Sequence, residues 1–202
     1  MQITDPSGTT SYGVDATEVR QGSYAAFLAA SGGNTAGQSS YCSWNSSFQP
    51  QISGGGCTSS TYTPSQTPEL PVVCVDWCDA AAYCAWAGMR LCGAMGGGAT
   101  PFSAFGQASQ SQWQNACSEQ GSVSYPYGDA LEPLACNAAE FGAGRSVPVA
   151  EANGCHGAAA GFSCLRDLSG NVWEWEDCCS KYKTYGIGSL TVFGVHRSSA
   201  NA

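Results

Sequence analysis

The stretch Asp167-Leu168-Ser169-Gly170-Asn171-Val172-Trp173-Glu174-Trp175-Glu176-Asp177-Cys178-Cys179 decides how this chain is read. Asp167, Ser169, Gly170 and Asn171 are turn formers, so the stretch opens on a tight turn. Val172 to Glu176 then predict a short strand, whose successive side chains alternate between two faces. Trp173 and Trp175 share one face, and Val172, Glu174 and Glu176 point the other way. Two large aromatics backed by carboxylates one residue distant suit either a rigid core corner or an oxygen-lined cation site.

At 202 residues the chain has the length of one domain with a single sizeable core. Charged residues make up only 11% and glycine supplies 26 positions, which implies a loop-rich fold. The net charge of -8, with seven lysines and arginines, excludes a phosphate-backbone partner; no nucleic acid is expected. Twelve cysteines read as an oxidised framework in a secreted, periplasmic or cell-surface protein. Zinc is disfavoured, because no Cys-x-x-Cys occurs and only His156 and His196 could supply imidazole. Met1 to Gly8 is polar, with no export signal in this chain, and no run approaches the ~18 apolar residues of a membrane span.

Working outward, Leu70 to Leu91 predicts a strand over Val72 to Val75 and a helix over Trp77 to Ala87. Asp76 is its N-cap, Asp79 stands three residues on, and Gly88 closes it. Tyr12 to Ala30 begins extended and becomes a helix, with Thr17 as a possible cap, Glu18 in the first turn, and Val19, Tyr24, Phe27 and Leu28 as its apolar face. Between them, residues 31–71 lack periodicity, and Cys42 and Cys57 are the obvious pins for so long an irregular segment. Asn45-Ser46-Ser47 is a glycosylation sequon of little weight by itself.

Asp-x-x-Gly-Asn-x-Trp-Glu-Trp resembles the signature of formylglycine-generating enzymes, also called sulfatase-modifying factors, whose fold is a variant of the C-type lectin fold. Leu70 to Leu91 is similar to the family's Pro-Val-x-x-Val-x-Trp, Ala-x-x-Tyr-Cys-x-Trp and Arg-Leu run. Val14 to Phe27 is similar to its opening strand and helix. Tyr125-Pro126-Tyr127-Gly128 with Asn137 resembles its Tyr-Pro-Trp-Gly and following Asn. After Arg90-Leu91 the chain departs from the family: a Gly-rich insertion, Cys92 to Gln107, precedes Ser109 to Ala116, which replaces an acidic helix without its acids.

The resemblance implies a calcium ion, structural in role, held by Asp167, the carbonyls of Gly170 and Val172, and Glu174. A second site maps to Asn137 and the carbonyl of Ala138. Trp173 matches a tryptophan lining the family's ligand cleft. The family's activity oxidises a substrate cysteine to formylglycine with oxygen and a copper-binding thiolate pair, carried on an Arg-Cys-x4-Cys-x-Arg segment after Trp-Glu-Trp. No cysteine follows Cys179 here, so no catalytic residue carries over. Cys178 and Cys179 point to opposite sides of a strand and read as structural disulfides, as do Cys74 and Cys78.

The expected architecture is therefore α+β: an irregular C-type-lectin-like domain of the formylglycine-generating-enzyme type, loop-rich and disulfide-stapled. Residues 1–11 form a disordered or strand-like lead, 12–179 the domain and 180–202 an atypical tail. The expected function is a monomeric, extracytoplasmic, calcium-stabilised lectin-like binding module for a peptide or glycan, without cysteine-oxidase activity in this chain. The alternative is a copper-dependent oxidoreductase whose catalytic cysteines are lost or truncated here.

Overall fold

The structure, a computed structural model, describes residues 2–4, 7–9, 11–178, 190–192 and 194–196. Strands β1 (Gln2–Thr4) and β2 (Ser11–Val14) form an antiparallel pair that opens the chain. Helices α1 (Gln21–Ser31) and α2 (Trp77–Trp86) follow, then β3 (Met89–Leu91) and the short α3 (Gln112–Cys117). Strand β4 (Trp173–Trp175) carries the motif, and β5 (Leu190–Val192) and β6 (Gly194–His196) come last. The main sheet has the antiparallel order β1-β2-β6-β3, and β4 pairs in parallel with β5. Mixed helices and short strands, stapled by disulfides, agree with a formylglycine-generating-enzyme type of domain. Much of 180–202 lies outside the described residues, but β6 inserts between β2 and β3, so this part of the tail completes the sheet.

Two apolar cores hold these elements. Tyr24 and Phe27 of α1, Tyr83 and Cys84 of α2, Phe48, Val72, Met89 and Leu91 form the first. Ile3, Tyr12, Val14, Cys92, Leu165 and Leu168 form the second. Aromatic edges tighten the first core: Tyr24 stacks on Tyr83 at 5.6 Å, and the Tyr24 hydroxyl donates to the Phe48 carbonyl at 2.8 Å.

Helix α2 starts as its sequence predicts. Asp76 Oδ1 accepts the N–H groups of Cys78 and Asp79, and Asp79 Oδ2 accepts the Asp76 N–H, a complete capping box. Gly88, at φ +75°, follows its C-terminus. Helix α1 differs from the expectation. Thr17 and Glu18 precede it, its N-cap is Arg20, and no side chain caps it. Its first N–H groups are instead taken by backbone: Gln21 donates to the Leu70 carbonyl at 2.8 Å and Gly22 to that of Pro68 at 3.0 Å. A Cβ on Gly22 would come within 3.2 Å of the Pro68 side chain, so this close approach favours glycine.

The strand expected over Val72 to Val75 does not form. Cys74 has φ +65° and is bonded to Cys57, which turns the chain out of the extended conformation. The expected pins are present: Cys42–Cys78 and Cys57–Cys74 tie the irregular segment to the approach and start of α2, and Cys136–Cys155 closes a third loop. Cys178 is also disulfide-bonded, whereas Cys179 lies outside the described residues. No helix among the described residues is long and apolar enough to cross a membrane.

The sequon asparagine is structural. Asn45 is buried, and its Nδ2 donates to Asp79 Oδ1 at 2.8 Å, which leaves no accessible amide for a glycan in the folded protein. Burial, then the charge of Asp76, pushes Asp79 up to about 7, while the Asn45 bond pulls it back. A raised folded value means that Asp79 contributes stability below the ordinary carboxylate range, and that this is lost as pH rises to about 7. Because Asn45 supports the ionised form, Asn45→Ala is expected to cost about 1–3 kcal/mol at pH 8 and less at pH 5. Urea denaturation at both values checks this; equal losses would exclude the pairing as the cause.

Candidate functional site

The motif turn is built from backbone conformations that few residues tolerate. Asp167, Gly170 and Asn171 have φ of +57°, +83° and +54°, the left-handed region open to glycine and, at small cost, to Asn and Asp. A Cβ on Gly170 would lie 2.8 Å from the Asn137 carbonyl oxygen, so only glycine lets the two segments meet. The adjacent Asn171 N–H donates to that same carbonyl at 2.8 Å.

Asn171 is the hub. Its Oδ1 accepts from Asn137 Nδ2 and from the Val147 N–H, both at 2.9 Å. Its Nδ2 donates to Glu18 Oε1 at 3.0 Å and to the Val147 carbonyl at 3.2 Å. One side chain thereby joins the approach to α1, the 137 and 147 loops, and the motif.

Asp167 and Glu18 lie beneath it, each 1% exposed. Asp167 Oδ2 accepts the Ala150 N–H at 2.6 Å. Asp167 Oδ1 and Glu18 Oε2 are buried with no hydrogen-bond donor. Burial, then the Asp167 charge, pushes Glu18 up to about 9; burial also raises Asp167, against the pull of the Ala150 N–H. An orphaned carboxylate oxygen in a turn rich in carbonyls suits a hard cation such as calcium, which takes several oxygen ligands at once. Among the described residues, no three His, Cys, Asp or Glu side chains gather closely enough to hold a metal by themselves, so main-chain oxygens would have to complete the set.

Gly170 and Val172 stand in the same turn as Asp167. Glu174, from the next pleat of β4, accepts the Trp113 indole N–H of α3. Burial lifts Glu174 well above the carboxylate range, with Trp113 pulling back, and lifts Glu176 to about 7. Asn137 is drawn to the motif by Asn171, but its carbonyl accepts the Asn171 N–H and the Ala138 carbonyl accepts the Phe141 N–H. The two main-chain oxygens of that second pair thus each accept one hydrogen bond within the fold.

The two motif tryptophans share a strand face but not an environment. Trp175 packs on the α2 core and its indole donates to the Val75 carbonyl at 2.9 Å. Trp173 is 75% exposed. Tyr41 and Trp44 are exposed as well, and Tyr125 stacks on Tyr127 at 5.3 Å with rings nearly parallel.

Sequence reasoning placed Glu18 in the first turn of α1 and did not single it out; Asn171 was read only as a turn former. The available signal was a lone carboxylate between Thr17 and Val19, directly ahead of an apolar helix face. The thiols Cys84, Cys92 and Cys117 lie in or against the cores, and burial raises all three, Cys117 to about 12. Such groups stay protonated near neutrality, the opposite of a reactive thiolate.

Residues 6–199 match the family described as the sulfatase-modifying factor enzyme 1-like domain. Over 118 residues the chain is 34% identical to the mouse (Mus musculus) protein named inactive C-alpha-formylglycine-generating enzyme 2, covering 53% of this chain and 32% of that one. Mouse formylglycine-generating enzyme is 31% identical over 117 residues, 52% of this chain and 26% of the relative. Hercynine oxygenase of Mycolicibacterium thermoresistibile is 30% identical over 112 residues, 54% and 21% of the two chains. The matched stretch thus spans about a third or less of each relative's length.

Proposed function

Because the chain belongs to the sulfatase-modifying factor family, we propose that it is an extracytoplasmic, calcium-stabilised member of C-type-lectin-like fold that binds a peptide or glycan and does not oxidise cysteine. The observation that carries this reading is the state of its thiols. Copper-based oxidation needs two convergent, accessible thiolates. Among the described residues, Cys42, Cys57, Cys74, Cys78, Cys136, Cys155 and Cys178 are in disulfides and burial keeps Cys84, Cys92 and Cys117 protonated; Cys164 is exposed, and one accessible sulfur does not make a convergent pair. The name of the inactive mouse relative fits the same reading. Disulfides of this density support an oxidising compartment.

The ligand surface is the exposed face of Trp173, a large aromatic held in place because Trp175, two residues on, is anchored in the core. A rigid exposed indole can stack on a sugar ring or an aromatic side chain at small entropic cost. The calcium ion is held by Asp167, the carbonyls of Gly170 and Val172, and Glu174, and fixes the turn from which β4 starts.

The deciding assay is mass spectrometry of the oxidised protein incubated with Cu(I), oxygen and a Cys-x-Pro-x-Arg peptide. No conversion to formylglycine is expected; conversion overturns the non-catalytic reading. Recognition is measured with the same peptide carrying serine for cysteine and with a glycan array. Trp173→Ala is expected to lower affinity for the bound class by roughly thirtyfold, about 2 kcal/mol. An unchanged affinity would remove Trp173 from the surface.

Calcium is tested separately. Saturation at about a hundred times Kd contributes about 2.7 kcal/mol, so EDTA is expected to lower Tm by roughly 5–10 °C for a chain of this size. A melting curve indifferent to EDTA and added Ca2+ would rule the ion out.

A further inference from the structure

We propose that a cavity of about 520 Å³ between α1 and α2 binds a neutral sugar ring, at a site separate from the motif turn and from Trp173. No residue of the stretch 167–179 lines it. One wall is a face of α2: Cys78, Ala81, Ala82, Ala85 and Trp86 recur at helical spacing, while Ala80, Tyr83 and Cys84 take the core-facing positions. Three alanines at these positions, in place of larger side chains, leave the space open. Phe27 and Phe48, both buried, complete the apolar lining. Trp86 is 48% exposed, and its ring is backed by Phe27 at 5.7 Å and Tyr83 at 5.8 Å, so an indole surface is presented in a fixed orientation.

The rest of the lining is polar and uncharged. Ser31, Asn34, Gln38 and Ser39 come from the end of α1 and the loop after it. That loop is pinned on both sides: Gln38 Nε2 donates to the Asn45 carbonyl at 2.7 Å, and the Cys42–Cys78 disulfide ties its far end to α2. Asn34 Oδ1 accepts the Ala36 N–H at 2.8 Å, which leaves the amide N–H groups of Asn34 available. Gln38 Oε1 has no donor. In a chain of net charge -8, no Asp, Glu, Lys or Arg lines this cavity.

This lining selects the ligand by chemistry. A charged ligand would lose its hydration and meet no opposite charge. A purely apolar one would cover the amides of Asn34 and Gln38 without pairing them. A pyranose has apolar C–H faces for Trp86 and hydroxyl edges for neutral amides and hydroxyls, and the cavity falls in the size range of small-molecule sites. The direct contacts of the ring are Trp86 and Asn34; Gln38 Oε1 is buried, so a sugar hydroxyl reaches it only as the pinned loop yields slightly. With no carboxylate in the lining, binding here requires no calcium ion.

Saturation-transfer NMR of the full chain in EDTA tests this with methyl β-glucoside, methyl β-galactoside, methyl α-mannoside and cellotriose. Transfer to the ring C–H protons is expected for at least one of them; a methyl glycoside identifies a free or terminal ring, and cellotriose alone identifies a ring within a chain. Trp86→Ala is expected to weaken the affinity at least about tenfold. Ala85→Leu fills the cavity from an exposed helical position, so binding should be lost while Tm stays close to wild type. Trp173→Ala is expected to leave this binding unchanged. Several results overturn the inference: no transfer to any of the four sugars, binding that survives Ala85→Leu, or binding that requires Ca2+. Loss of sugar binding in Trp173→Ala also overturns it and assigns the sugar to the motif face instead. Tighter binding of p-cresol than of any glycoside, or of methyl β-glucuronide than of methyl β-glucoside, overturns the neutral-sugar class. Should Trp86→Ala fail to fold, since its ring also packs on Phe27 and Tyr83, Ala85→Leu decides by itself.

Discussion

Asn171→Ala is expected to lower the free energy of unfolding by about 3–5 kcal/mol, a loss at the upper end for one residue. The Asn171 side chain satisfies Glu18 Oε1, Asn137 Nδ2 and both the N–H and the carbonyl of Val147. Truncation leaves a buried carboxylate oxygen and the N–H and carbonyl of Val147 without partners, while Asn137 Nδ2 keeps the Arg145 carbonyl; each orphaned group costs about 1–3 kcal/mol, more when charged. The backbone adds to the loss, because Asn171 has φ +54° and alanine is strained there. Asn171→Gly separates the two contributions: glycine tolerates the positive φ, so about 1 kcal/mol should return while the hydrogen-bond loss remains. The measurement is urea denaturation of all three proteins, with an unchanged m-value as the sign that only stability moved. A loss under about 1 kcal/mol for alanine would mean that water or rearrangement replaces the hub.

Removing the Cys42–Cys78 disulfide is the second large effect. It joins positions 36 residues apart and fastens the irregular segment to the first turn of α2. Loop closure over that length predicts about 3–4 kcal/mol from the unfolded chain alone. Asn45 lies three positions beyond Cys42 and holds Asp79, the residue after Cys78, so the covalent and polar attachments reinforce one another. The double variant Cys42→Ala with Cys78→Ala is therefore expected to unfold at lower urea, and the cost of Asn45→Ala should be smaller in that background. Additive losses in a double-mutant cycle would show that the two attachments act independently.

Much of the local structure was legible because it depends on short-range chemistry. Asp76 and Asp79 spell a capping box three residues apart, and Gly88 marks the helix end. Asp167 to Asn171 spell a turn, and alternation placed Trp173 and Trp175 on one face of β4. The start of α1 was not legible. Its N–H groups are satisfied by the carbonyls of Pro68 and Leu70, a contact between segments that no local pattern encodes. The strand expected over Val72 to Val75 failed for a related reason: apolar β-branched residues favour extension, but the bond from Cys74 to Cys57 and a left-handed backbone at Cys74 override propensity.

The family, the disulfide-rich framework, α2 with its cap and the turn that carries the motif are all readable along the chain, because each rests on residue types and short spacings. The exposure of Trp173 beside an anchored Trp175, the burial of the sequon asparagine against Asp79 and the meeting of Glu18 with Asp167 arise from folding alone. Burial and pairing between distant segments set those outcomes. A carboxylate's chemistry depends on the groups that face it after folding, and spacing along the chain does not carry that information.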